Sequence, residues 1–206
     1  MSALGKETEE TLEGPHVLIR PWLRRDSLAQ EQWPRYTEPF SSLWNVPRSI
    51  FFSEALRANF SSQRFAWAIE DHSGHLIGRI SLREIEPARA AARLGISISQ
   101  TFVSQGLGTE ALIMFLDYYF GPLGFRVMNL DVAAFNRRAV RCYLRLGFEH
   151  VESEWRNAGN DPSLRLLEDP RYQDVKPHFR RGRFETSIEF YEMVLTREQW
   201  LARHYR

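Results

Sequence analysis

Between Arg64 and Ile98 apolar side chains alternate with their neighbours in three successive runs, and from Thr109 onward they recur every three or four residues instead. Strict alternation marks a strand buried on one face, and the three–four spacing marks a helix buried along one stripe. This one change of period predicts an antiparallel meander followed by a half built from helices and strands in turn. In the first run Phe65, Trp67 and Ile69 alternate with Ala66, Ala68 and Glu70, and Asp71-His72-Ser73-Gly74 has the chemistry of a hairpin turn. The return strand sets Leu76, Ile80 and Leu82 on one face, which alternation extends to Glu84, and the third strand turns Leu94, Ile96 and Ile98 inward.

Beyond the polar turn Ser99–Gly108, a helix is predicted from Thr109 to Phe120, with Leu112, Phe115, Leu116 and Tyr119 as its stripe and Gly121-Pro122 as its stop. A strand over Val127–Ala133 follows, inward at Met128, Leu130 and Val132. Asn136 then opens a second helix whose inner stripe is Ala139, Cys142, Tyr143 and Leu146; Gly147 ends it and Phe148 begins another strand. Ahead of the meander, Val17 and Ile19 suggest a first strand and Asp26-Ser27 a helix cap. The stretch 28–60 is helical in patches and holds Trp33, Tyr36, Phe40, Trp44, Phe51, Phe52 and Phe60. After it, residues 157–183 form a polar excursion, a closing strand runs from Phe184 to Leu195, and Thr196 caps a final helix. Residues 1–15 read as a frayed tail, leaving 16–206 as one domain. The fold class expected is α/β (α+β): a mixed, mostly antiparallel sheet with a parallel strand pair near its middle and helices on both faces.

Composition narrows the function classes. Lys and Arg number 27 against 26 Asp and Glu, so bulk charge points to neither nucleic acid nor an anionic membrane. No run of about 18 apolar residues offers a membrane span. The acidic start at Glu7, Glu9, Glu10 and Glu13 is unlike a secretory signal. A lone Cys142 forms no internal disulfide, and no Cys/His cluster has zinc-ligand spacing. A cytoplasmic protein without a metal is the expectation.

The sharpest local signal is Val103-Ser104-Gln105-Gly106-Leu107-Gly108-Thr109-Glu110-Ala111, a glycine loop at a helix start. Unpaired first-turn N–H groups and the helix dipole suit such a loop to phosphate, and glycine lets the backbone come close. A P-loop needs a lysine that is absent here. A dinucleotide fingerprint is literally present in Gly106, Gly108 and Ala111, with Asp131 downstream, but it belongs at the first turn of a mostly parallel sheet. A glycine turn without ligand is the third reading.

Downstream, Asn136, Ala139, Tyr143 and Gly147-Phe148 stand at N-x-x-A-x-x-x-Y-x-x-x-G-F spacing. Together with the loop they resemble the GNAT N-acetyltransferase superfamily, whose loop reads Q/R-x-x-G-x-G/A. Leu18-Ile19-Arg20-Pro21 and the ending Glu189–Trp200 resemble its RimJ/RimL-like branch; Val103 departs from the usual Gln or Arg. The resemblance implies acetyl-CoA as acyl donor and a primary amine as acceptor. It implies pyrophosphate on Val103, Ser104, Gln105, Gly106, Leu107, Gly108 and Thr109, pantetheine between strands Leu94–Ser99 and Val127–Ala133, and Asn136 bonded to it. The main chain at Ile96 and Ile98 would hold the thioester, and Tyr143 would be the general acid. Asp131 and Glu84 are the candidate bases, against the plainer readings of a salt bridge for Asp131 and an exposed strand end after a bulge for Glu84. Cys142 reads as a small core residue. The arginine-rich excursion favours a peptide N-terminus or a small amine with an apolar or acidic portion. A homodimer through edge strands is expected, and a non-catalytic acyl-CoA-binding module of the same fold is the alternative.

Overall fold

The computed structural model describes residues 10–37, 39–40, 65–158, 162–183 and 185–204. In chain order the elements are β1 (Leu12–Glu13), β2 (Val17–Pro21), α1 (Arg24–Glu31), β3 (Phe65–Asp71), β4 (Leu76–Glu86), β5 (Ala91–Ile98), α2 (Leu107–Phe120), β6 (Val127–Ala133), α3 (Arg137–Leu146), β7 (Glu149–Asn157), β8 (Phe179–Arg181), β9 (Thr186–Thr196) and α4 (Arg197–His204). The sheet is mixed, antiparallel in most of its pairs and parallel at β5·β6. Trp44, Phe51, Phe52 and Phe60 lie outside the described residues, as does Phe184, the expected start of the closing strand.

The chain forms two compact units, the first from residues 1–34, 62–130 and 194–206 and the second from 35–61 and 131–193. In the first unit β1 to β6 lie side by side in sequence order. The parallel pair runs from Ala91↔Val127 to Arg93↔Asn129, and β5 continues beyond it to Ile98. The core is the side of the sheet that α2 covers: Leu112, Phe115, Leu116 and Tyr119 are all buried, as the helical stripe requires, together with Trp67, Ile69, Ile80 and Leu82. Trp67 meets Phe115 edge-on at 4.9 Å, and Tyr119 stacks on Phe125 at 4.4 Å while its hydroxyl donates to the Val127 carbonyl. Below, Trp200 of α4 is fully buried and donates from Nε1 to Asp117 at 2.8 Å.

Four sequence expectations need correction in this unit. Leu12 and Glu13 are not frayed; they pair with Ile19 and Leu18, and Gly14 N–H closes the turn on the Val17 carbonyl. Asp26 is not the cap residue of α1 but stands in its first turn, where it accepts from the Leu23 N–H at 2.7 Å and forms a two-pronged pair with Arg20. In β4 the register slips, so Ile77 is buried and Leu76 only half so. Helix α2 begins at Leu107, not Thr109, with Gly106 in the left-handed region at φ +86° as its cap.

In the second unit the end of β6, β9 and β7 follow one another, and β8 pairs with β9. The excursion is not merely polar. It buries Leu164, Leu167 and Phe179 with Phe40, Ala133, Phe135 and Ile188 in a small second core. Phe40, Phe135 and Phe179 meet one another at 5.0–5.7 Å, which accounts for aromatic residues in segments otherwise rich in charge. The α3 stripe is buried at Tyr143 and Leu146 and half-buried at Ala139 and Cys142.

Candidate active site

The glycine loop is shaped by two left-handed residues, Ser104 at φ +65° and Gly106 at +86°. Glycine meets this demand at Gly106 without cost, and the bend delivers the chain into α2 with its first N–H groups lacking helical acceptors. The Gly106 carbonyl takes the N–H groups of Thr109 and Glu110, so the groups left facing the helix axis are those just before them. Gly108 sits inside the first helical turn for a packing reason: a Cβ there would lie 3.2 Å from Cγ1 of Ile98 on β5. The Gln105 side chain folds back to the Thr101 carbonyl at 2.8 Å, so its contribution to an anion is its backbone. Val103 is extended and half-buried. Loop, helix start and the β5 end carrying Ile96 and Ile98 are thus one construction. It suits a phosphate because it presents backbone donors at the positive end of a 14-residue helix.

Helix α3 carries the other motif. Asn136 caps it, its side-chain oxygen accepting from the Ala139 N–H at 3.2 Å, which leaves the carboxamide NH2 as a donor. At the far end Gly147, at φ +101°, donates to the Leu144 carbonyl, and the Phe148 N–H donates to that of Tyr143. That is the six-to-one and five-to-two pattern of a glycine-capped helix, and it commonly brings an apolar contact between the residues it joins. Here that contact is Tyr143 edge-on to Phe148. The Gly-Phe of the motif therefore fixes the tyrosine ring. Burial above all pushes the Tyr143 hydroxyl well above the ordinary phenol range, and interactions with Cys142 and Asp131 add to it. The hydroxyl is protonated throughout the neutral range.

The two candidate carboxylates part company. Asp131 is 11% exposed and ion-paired at 2.6 Å to Arg156, in electrostatic reach of Tyr143. Glu84 is not on an apolar face. The ladder slips between Arg83 and Glu86, Glu84 takes a left-handed φ of +50°, and its carboxylate is half-exposed against Arg93 at 2.7 Å. The bulge breaks the alternation from which its burial was expected.

Two features carried no recognised sequence signal. Arg156 on β7 gathers Asp131, Glu154 and Glu192; the alternation of β9, which sets Phe190 and Glu192 on one face, is the pattern that could have pointed to it. Glu110, one turn into α2, accepts from the His16 and Val17 N–H groups at 2.7 and 3.2 Å and from the His16 ring, tying β2 to the glycine-loop helix. Among the described residues no group of three His, Cys, Asp or Glu side chains is arranged to hold a metal ion, and no helix is long and apolar enough to cross a membrane.

A family model described as the acetyltransferase (GNAT) domain matches residues 16–149. Spermidine N(1)-acetyltransferase of Escherichia coli (strain K12) is 33% identical over 140 residues, which is 67% of this chain and 75% of that protein. Among solved structures, spermidine N-acetyltransferase from Vibrio cholerae in complex with CoA and spermine is similar with a TM-score of 0.57 at 20% identity, covering 91% of this chain and 99% of the other. Its dodecameric structure in an intermediate state gives a TM-score of 0.58 at 21% identity, covering 93% and 99%. At those identities the structural likeness is one of fold.

Proposed function

The chain belongs to the GNAT acetyltransferase family, and on that premise we propose that it transfers the acetyl group of acetyl-CoA to a primary amine by direct attack on the thioester. The observation that carries this is the fixed, protonated Tyr143 hydroxyl at the end of a helix opened by Asn136. In the reaction the amine nitrogen adds to the carbonyl carbon, and the negative charge gathers on the carbonyl oxygen. Collapse then breaks the carbon–sulfur bond. Backbone N–H groups of the β5 end, at Ile96 and Ile98, are assigned to the oxygen. The pyrophosphate is assigned to Val103–Thr109, chiefly to backbone, and the pantetheine to Asn136.

Tyr143 is assigned to the departing sulfur. A phenol near 10 facing a thiol near 8.5 already opposes full transfer by about 2 kcal/mol. Its contribution is therefore a hydrogen bond that strengthens as charge grows on sulfur, with the proton following as the thiolate is released. Asp131 is assigned to remove the ammonium proton, directly or through a water.

For the acceptor, the arginines of the excursion pointed to a peptide N-terminus or a small amine with an apolar or acidic portion. They are engaged locally, Arg171 with Asp169, Arg181 with Glu168, and Arg180 over the Trp155 ring at 3.7 Å. Meanwhile Asp131, Glu154 and Glu192 all meet the one guanidinium of Arg156, an excess of carboxylates over the cation they share. That excess, and the spermidine in the name of the E. coli relative, favour an aliphatic polyamine over a peptide N-terminus. The narrower RimJ/RimL-like placement rests only on the Leu18–Pro21 opening and the Glu189–Trp200 ending. Self-association, as in the dodecameric relative, fits the family.

Release of free thiol from acetyl-CoA is the test, with spermidine, spermine, a simple monoamine and short peptides as acceptors. Turnover with spermidine above the others supports the polyamine reading; turnover with peptides alone restores the other. Acetyl-CoA binding without turnover on any amine establishes the non-catalytic alternative.

A further inference from the structure

We propose that Arg156 is a positioning residue that holds Asp131 ionised and oriented beside Tyr143, so that one guanidinium sets the pH range in which the acceptor amine is deprotonated. The inference rests on the assignment of Asp131 as the base. Asp131 shares the Arg156 guanidinium with Glu154 on β7 and Glu192 on β9, and on α3 it acts electrostatically on Tyr143, as the adjoining Cys142 also does. Arg156 reaches Asp131 at 2.6 Å, Glu154 at 2.7 Å and Glu192 at 3.0 Å. Its guanidinium lies over the Phe190 ring, 4.5 Å from the centroid, which fixes the plane of the fork. Only a planar group with five donors can serve three carboxylates from one place; a lysine ammonium would act as a point charge.

The burial is inverted relative to an ordinary surface pair. Asp131 and Glu192 are 11% and 19% exposed, and the cation between them is 35% exposed. Without Arg156, Asp131 loses its guanidinium while its burial and the nearby carboxylates of Glu154 and Glu192 remain, and burial and like charge both favour the protonated acid. A base works only when ionised. Loss of the guanidinium therefore moves the acid limb of activity to higher pH and leaves the alkaline plateau in place.

The experiment is kcat/KM against pH for the whole chain and three variants, with thermal melting alongside. Arg156→Met keeps the stem over Phe190; its acid limb should rise by about one pH unit, a tenfold loss at any pH on the limb. Glu192→Gln removes a like charge and keeps the guanidinium, so its limb should move the opposite way. Opposite displacements are not what a structural role gives. Asp131→Asn should lose the limb and most of the plateau. If the limb is unmoved in Arg156→Met and Glu192→Gln while Asp131→Asn loses it, the inference about Arg156 fails and the base assignment stands. If Asp131→Asn keeps both limb and rate, the base assignment fails and takes the inference with it. Should Arg156→Met not fold, Glu192→Gln decides, and a limb that rises or stays in place overturns the proposal.

Discussion

The Tyr143 ring stands edge-on to Phe148, 5.7 Å between centroids, across the glycine that ends α3. A side chain locked by its own helix terminus can lose its hydroxyl without losing its place. Tyr143→Phe should therefore lower turnover about 10–10³-fold, at or below the range for an acid catalyst, with acetyl-CoA affinity and melting temperature nearly unchanged. Steady-state kinetics and calorimetry decide it. Wild-type turnover would return Tyr143 to a packing role, and a matching fall in melting temperature would show that the ring had moved.

Gly108 is held to glycine by contact, not by conformation. A valine there would meet Ile98 closer than an ordinary contact, and its branches would project from the first turn of α2 among the backbone donors. Gly108→Val should abolish acetyl-CoA binding while the far-ultraviolet dichroism stays that of a folded protein. Unchanged affinity by calorimetry would dismiss the loop as the pyrophosphate site.

Glu110 gives a prediction with a pH signature. Burial acts to raise its pKa, but hydrogen bonds from the His16 N–H, the His16 ring and the Val17 N–H outweigh that and hold the carboxyl below the ordinary range. A depressed acid stabilises the fold fully above its unfolded pKa, and that stability is lost as pH falls through the folded one. Glu110→Gln should cost about 1–2 kcal/mol at neutral pH, comparable to a lost cap. The gap to wild type should narrow as pH falls below the ordinary glutamate range. Denaturant titrations at several pH values measure it; a gap constant with pH would assign the effect to packing alone.

The meander and the stripes of α2 and α3 were readable because each depends on a local period: Leu112, Phe115, Leu116 and Tyr119 are buried as their spacing demands. What went unread has a tertiary cause. Helix α2 starts at Leu107 after its left-handed cap Gly106, and Gly108 in its first turn answers to Ile98 on β5, while alone it reads as a turn residue. Of the candidate site, Asn136, Tyr143, Gly147 and Phe148 were visible because one helix with its two caps holds them all. Arg156 was not, since its partners Asp131 and Glu192 lie 25 and 36 residues away and only strand pairing unites them. Glu84 shows the opposite failure, a period carried one step past the point where the ladder slips.

Glu84 supplies the last prediction. Its carboxylate is 51% exposed and paired with Arg93 at 2.7 Å and Arg83 at 3.4 Å, on a bulge at the end of β4. An exposed ion pair of this kind contributes about 0–1 kcal/mol, and this one holds the carboxylate against two guanidinium groups at the strand end. Glu84→Gln should therefore keep turnover within about two-fold of wild type and keep the acid limb of the pH profile, while losing an essential base costs about 10²–10⁴ in rate. The measurement is kcat across the pH range beside Asp131→Asn. A hundred-fold loss in Glu84→Gln, with the limb gone, would make Glu84 the base in spite of its exposure. It would also mean that the bulge, whose left-handed turn aims this side chain, is part of the active site and not an irregularity at the strand end.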